Sequence, residues 1–254
     1  MRLLLITAVK HEGIRLIAQS NGRRMLAVLA HPDDESFGMA GTIAKYVAEG
    51  VAVSLICTTN GDVGSADQQF LAGFSSVAEL RLAELKCATG VLGLSNVFTL
   101  GYRDSGMAGS IDNKHSESLV SADADELTGR IVRIIRTLAP QIVVTFDPYG
   151  GYGHPDHIVT HHATLKAFEA ASDPQMFPEQ LTEGLRAFEP QKLYFMTFDR
   201  RIFRVVIDIM AKVRILGDPS HMGRNKDIDG REIAAHSYPI HASIDTRRYS
   251  SVAN

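Results

Sequence analysis

Short apolar runs and helix-spaced apolar positions alternate along most of the chain. Met25 to Ala30 (MLAVLA) contains no polar residue, as expected of a strand buried on both faces of a parallel sheet. Between Gly38 and Glu49, Met39, Ile43, Ala44, Val47 and Ala48 recur at helical spacing, and Gly50 stands where a helix ends on a left-handed residue. Residues 51–57 read as a second strand. Ser76 and Glu79 form an S-x-x-E capping box, and the helix it opens carries Leu80, Ala83, Cys87 and Val91 on one stripe. Val97 to Leu100 is a short third strand. A helix over 123–139 presents Ile131, Ile134, Ile135 and Leu138 and is stopped by Pro140. Ile142 to Phe146 (IVVTF) is the fourth strand, 155–171 a helix with proline in its first turn, and Leu193 to Phe198 a fifth strand. Beyond Asp199 the alternation fades, and Gly217 to Gly230, rich in Gly, Pro, Asp and Asn, reads as a loop.

This order predicts an α/β, Rossmann-like fold, a mostly parallel sheet with helices on both faces. Ligands of such sheets bind beyond the carboxyl ends of the strands, so the loops after strands one and four are the places to look for chemistry. With 254 residues, the expectation is one domain over 24–254, less certain from about 199, preceded by an extension over 1–23.

Composition narrows the function classes. Hydrophobic residues are 45% and charged residues 22%, which suits a folded globular chain. A net charge of −3 offers no basic surplus for a phosphate backbone, so nucleic acid is not an expected partner. No run approaches the ~20 apolar residues of a membrane span. The apolar stretch Leu3–Val9 runs directly into Lys10, His11 and Glu12 with no small-residue cleavage site, so a cytoplasmic protein is expected. The two cysteines, Cys57 and Cys87, are too few for a disulfide framework and read as buried free thiols. Ten histidines against no tryptophan is the one imbalance.

Two loops concentrate the reactive residues. Strand one is followed by Ala30-His31-Pro32-Asp33-Asp34-Glu35. A nucleotide-binding turn here needs G-x-G-x-x-G, whereas three carboxylates repel phosphate and suit a divalent cation. His31 and Asp34 are spaced to share one metal, with Asp33 between them free to accept a proton. An acidic helix start explains Glu35 but not the whole run. Strand four is followed by Asp147-Pro148-Tyr149-Gly150-Gly151-Tyr152-Gly153-His154-Pro155-Asp156-His157, at the same sheet edge. Side chains in a first helical turn point back toward its N-terminus, so His157 can face the loop. One of its histidines can ligate a metal while the other acts as acid or oxyanion donor, and Asp156 can orient an imidazole. His161 and His162 read as packed or surface histidines, as do His11, His115 and His221.

The pair AHPDDE and GHPDH resembles the LmbE-like (PIG-L) zinc-dependent de-N-acetylases, over roughly Arg24 to Phe198, together with Arg81-Leu82-Ala83-Glu84, Tyr102-Arg103-Asp104-Ser105-Gly106-Met107 and Phe177-Pro178-Glu179-Gln180-Leu181. The resemblance implies His31, Asp34 and His157 as ligands of Zn2+ or another divalent ion, with positions left for water and substrate. It implies Asp33 as general base, His154 as oxyanion stabiliser or proton donor to the leaving amine, Asp156 as its orienting partner and Tyr152 as an aid to carbonyl polarisation. Arg81 and Asp104 match sugar-contacting positions. The C-terminal stretch departs from the family pattern; of His236 and His241, His241 matches better in spacing as a pocket residue. The implied activity is hydrolysis of an N-acetyl group from a small N-acetylglucosamine-containing molecule, most like the mycothiol- and bacillithiol-pathway members. No membrane partner is expected, and a homo-oligomer is compatible with the family. Hydrolysis of another amide, such as a thiol conjugate, shares every site residue. A catalytically silent metal- or sugar-binding protein on the same fold is the reading from outside enzymology.

Overall fold

The computed structural model describes residues 22–213, 217–223 and 225–249. The extension assigned to 1–23 therefore lies almost wholly outside the described residues, and His11 with it. The elements run β1 (Arg24–Leu29), α1 (Asp34–Ala48), β2 (Ala52–Thr59), α2 (Val77–Leu92), β3 (Asn96–Tyr102), α3 (Ala124–Leu138), β4 (Ile142–Phe146), α4 (Gly150–Gly153), α5 (Pro155–Ala170), α6 (Pro178–Thr182), β5 (Lys192–Met196), α7 (Arg200–Val213) and α8 (Gly230–Ala235). All five strands are parallel, in the order β3-β2-β1-β4-β5. The order reverses between β1 and β4, so this seam is the topological switch point, where the carboxyl-end loops diverge and leave a crevice.

Alternation along β1 explains the two-sided core. Leu26 and Val28 pack with Ile131, Ile135, Ala163 and Ala167 of α3 and α5. Met25, Ala27 and Leu29 pack with Met39, Ile43, Leu85 and Leu92 of α1 and α2. The helix starts are capped as their sequences predict. Ser76 accepts the Glu79 amide at α2, and Asp123 accepts two amides at α3. The Glu79 carboxylate returns to Ser75 rather than to Ser76.

Three expectations are corrected. In α2, Ala83, Cys87 and Val91 face solvent, while Leu80, Leu85, Thr89 and Leu92 are buried. The helix carries apolar side chains on both faces, and the sheet takes the stripe through Leu85 and Leu92. Cys87 is accordingly an exposed thiol, whereas Cys57 on β2 is buried. Finally, the fading alternation beyond Asp199 conceals two helices, on either side of the loop expected from Gly217. These are α7 and α8, but of α7 only Arg200 and Ile207 are buried, so its apolar positions Ile202, Val205, Val206 and Ile209 belong to no core stripe.

Candidate functional site

The loop after β1 turns directly into α1. Asp34 makes that turn: its Oδ2 accepts the amides of Ala30 at 3.1 Å and His31 at 2.7 Å. Asp33 occupies the helix-cap position with φ 155° and ψ −20°, a strained conformation for a residue with a Cβ, and its side chain caps nothing. Its carboxylate is thereby turned away from the helix start.

Across the seam, the loop after β4 passes through Gly150, Gly151 and Gly153, all at positive φ, and enters α5 at Pro155. His154 caps α5, its Nδ1 accepting the Asp156 amide at 3.2 Å. That bond leaves the proton of neutral His154 on Nε2. His157 in the first turn directs Nδ1 at the carbonyl of Gly150, 3.1 Å away, so Nδ1–H donates and Nε2 presents a lone pair.

His31 meets His157 here. Its Nε2 lies 3.2 Å from Asp156 Oδ2 and 3.7 Å from Asp104 Oδ1, so Nε2–H faces carboxylate. Its Nδ1 lies 3.1 Å from His157 Nε2. Asp34 completes the group, Oδ1 3.4 Å from His157 Nε2 and Oδ2 3.6 Å from His31 Nδ1. Two imidazole nitrogens and a carboxylate thus converge, a contact that either a proton on His31 Nδ1 or a bound cation satisfies. Ligands bound at about 2.0–2.2 Å around a tetrahedral ion sit roughly 3.3–3.6 Å apart; His157 Nε2 stands at such a distance from Asp34 Oδ1, while it is the other Asp34 oxygen that faces His31. Donor atoms lying within 4.8 Å of one another, close enough to share an ion, come from His31, His154 and His157, and from His31, Asp104, His154 and Asp156, and Asp34 borders His31 and His157; the donor types suit a divalent cation.

The electrostatics agree. Burial opposes ionisation of Asp34, but His157 and His31 outweigh it and hold its carboxyl far below the usual range. Burial also opposes charge on His31, yet Asp104, Asp156 and Asp34 together raise it well above an ordinary imidazole. For His157 and His154, burial prevails and lowers each to about 4, so both are neutral at physiological pH. Burial raises the Tyr152 phenol, which keeps its proton; its ring stands edge-on to His157 at 5.1 Å and His154 at 5.9 Å.

Several predicted residues meet different partners from those expected. Asp156 meets both histidines, His154 through its backbone amide and His31 through its carboxylate; its Oδ2 also accepts the Ser105 amide at 2.9 Å. The spacing of H-P-D-H could not reveal this, because His31 reaches Asp156 only across the seam. Asp104 is buried against His31 and accepts the Gly106 amide at 2.8 Å. Arg81 donates to Asp33 Oδ2 and to the Pro32 carbonyl, both at 2.6 Å. His241 is exposed, while His236 stacks on Tyr149 at 3.9 Å. His161 is packed, its Nδ1 on the Phe146 carbonyl, and His162, His115 and His221 are exposed.

A family profile described as GlcNAc-PI de-N-acetylase (PIG-L) matches residues 26–168. The chain is 36% identical over 237 residues to a 1D-myo-inositol 2-acetamido-2-deoxy-alpha-D-glucopyranoside deacetylase of Geodermatophilus obscurus, covering 90% of this chain and 78% of the relative. Its identity to the deacetylases of the same name from Streptomyces avermitilis and Thermobifida fusca is 42% and 40%, over 62% and 68% of this chain but only 56% and 64% of theirs. Among solved structures it is similar to the N,N'-diacetylchitobiose deacetylase of Pyrococcus horikoshii, with TM-score 0.56 and 26% identity, covering 68% of this chain and 59% of that one. It also shares a fold with the 4-carboxy-2-hydroxymuconate hydratase of Pseudomonas putida, with TM-score 0.50 and 22% identity over 67% of this chain and 64% of that one. That chemistry is unrelated to deacetylation, so the side chains must decide what the fold does.

Proposed function

The chain belongs to the GlcNAc-PI de-N-acetylase (PIG-L) family, and we propose that it hydrolyses the N-acetyl group of a small N-acetylglucosamine-containing glycoside. The observation that carries this reading is the convergence of His31, Asp34 and His157, with the carboxylate of Asp33, which lies between His31 and Asp34 in sequence and is held on one oxygen by Arg81.

His31, Asp34 and His157 would hold a divalent cation, for which Zn2+ is the first choice given two imidazoles and one carboxylate. Such an ion supplies Lewis acidity and makes water a competent nucleophile near neutral pH. Asp33 accepts the proton of the attacking water. Burial raises its pKa above that of an ordinary carboxylate, and Arg81 opposes that rise, so it can take up a proton and return it. Neutral His154 offers Nε2–H to the oxyanion of the tetrahedral intermediate, and the phenol of Tyr152 is a second donor on the same side. Because His154 is neutral and its Nδ1 is occupied by a backbone amide, the proton delivered to the departing amine comes from Asp33. Asp156 and Asp104 hold the His31 ring in place.

The relatives' names make an inositol glycoside the first substrate to try. The test is amine release from a panel of N-acetylglucosaminides that includes it, before and after chelation and after Zn2+ is restored. Amine appearing only with metal present is the expected result. No amine from any member, or undiminished turnover by metal-stripped protein, would overturn the assignment.

A further inference from the structure

We propose that Arg200 is a positioning residue for the metal centre, locking the glycine loop that carries His157's hydrogen-bond partner. The inference rests on the metal-centre reading above, not on the identity of the substrate.

The loop has little shape of its own. Gly150, Gly151 and Gly153 sit at φ 70°, 72° and 90°, so the turn is fixed by hydrogen bonds to Asp147 at its own start and by a contact from outside it. Asp147 supplies half of the hold, its Oδ1 accepting the amides of Tyr149 and Gly151, each at 3.0 Å. Arg200, only 1% exposed, supplies the other half. Its Nη2 donates to Asp147 Oδ2 at 2.9 Å and to the Gly151 carbonyl at 2.8 Å. Its Nη1 donates to the carbonyls of Ile233, at 3.2 Å, and of His236. The rings of Phe198, Tyr238 and Tyr149 surround the guanidinium, with centroids 4.9, 5.7 and 5.9 Å away.

The loop so held transmits directly to the centre. The carbonyl that fixes the His157 ring belongs to Gly150, adjacent to the residue Arg200 grips. The approach is tight: a Cβ on Gly150 would stand 2.8 Å from His157 Cβ. A shift at Gly151 therefore moves the acceptor that sets His157's tautomer and ring angle. Arg200 itself touches none of the three converging donors. A lysine would keep the charge but not the fork that spans a carboxylate and three carbonyls.

Arg204 provides the comparison. It lies one turn along α7 and donates to the Ala234 carbonyl, at 2.8 Å from Nη2, so it ties α7 to α8 without reaching the loop. The experiment titrates the purified chain with Co2+, whose visible absorption reports the ligand geometry, alongside thermal unfolding. The variants are Arg200→Met, Arg200→Lys, Asp147→Asn and Arg204→Met. Expected are at least a tenfold weaker Co2+ affinity and an altered spectrum for Arg200→Met. Arg200→Lys and Asp147→Asn should fall in between, and Arg204→Met should keep wild-type affinity whatever its melting temperature. Wild-type affinity and spectrum in both Arg200 variants, or an equal loss in Arg204→Met, would overturn the proposal. If Arg200→Met does not fold, Arg200→Lys and Asp147→Asn decide it. Wild-type protein that binds Co2+ yet deacetylates nothing would overturn the function while leaving this inference standing.

Discussion

Arg81 donates a 2.6 Å hydrogen bond to Asp33 Oδ2 from a full helix away, and anchors itself with a second bond of equal length to the Pro32 carbonyl. The proposed base therefore has one oxygen held and the other free. Asp33→Asn should lower kcat by about 10²–10⁴-fold, the usual worth of a positioned base. Metal content, measured by elemental analysis, should not change, because Asp33 is not one of the three converging donors. Undiminished turnover would remove Asp33 from the role.

Arg81→Met should lower kcat roughly tenfold to a hundredfold, because a base misplaced by an ångström loses that much. Asp33 accepts two backbone amides through its own carbonyl and so keeps its place in the chain, but its side chain is released. Steady-state kinetics on any substrate the panel reveals would show this. An effect confined to KM would instead assign Arg81 to substrate contact alone.

Burial holds His161 neutral and lowers its pKa, with its Nδ1 on the Phe146 carbonyl. The unfolded chain takes up a proton at about pH 6.5, whereas the folded one resists until lower pH. This contribution to stability is thus complete above pH 6.5 and is lost as the pH falls through the folded value. Urea unfolding at pH 7.5 and 5.5 should show a smaller loss in His161→Gln than in the parent. An identical loss would mean that His161 takes no part.

Gly90, inside α2, has an ordinary helical φ and open space where a Cβ would stand, with nothing within 4 Å. Gly90→Ala should stabilise the protein by roughly 0.5–1 kcal/mol. Gly150→Ala should do the opposite, combining a left-handed φ with a close approach to His157. A raised melting temperature for the second variant would contradict the loop geometry.

Thiol labelling of the native chain should stop at one equivalent. Cys87 is exposed on α2, while burial pushes the Cys57 thiol far up and the sheet covers it. Rapid reaction of both cysteines would contradict the placement of β2.

The parts legible in the sequence are those set by local periodicity. β1 announced itself because MLAVLA is buried on both faces, and α3 because Ile131, Ile135 and Leu138 meet one layer of core. The two metal-side motifs were legible because each is contiguous and follows a strand. What escaped depends on contacts across the sheet. The Asp156 carboxylate reaches His31, while its amide meets His154, because β1 and β4 are neighbours. Arg81 gave no sign of its partner 48 positions earlier. Arg200 begins a helix whose apolar stripe, Ile202, Val205, Val206 and Ile209, faces solvent, so the periodicity pointed away from the buried side chain that matters most to the loop.

His31 and His157 stand 126 positions apart in the chain and adjoin only where β4 lies against β1. The centre is consequently complete only when β4 has joined β1: an N-terminal segment ending before β4 carries two of its three donors, His31 and Asp34, and lacks His157. A cation that selects the complete set binds the native state alone, and by mass action it would tie β1 to β4 across the seam.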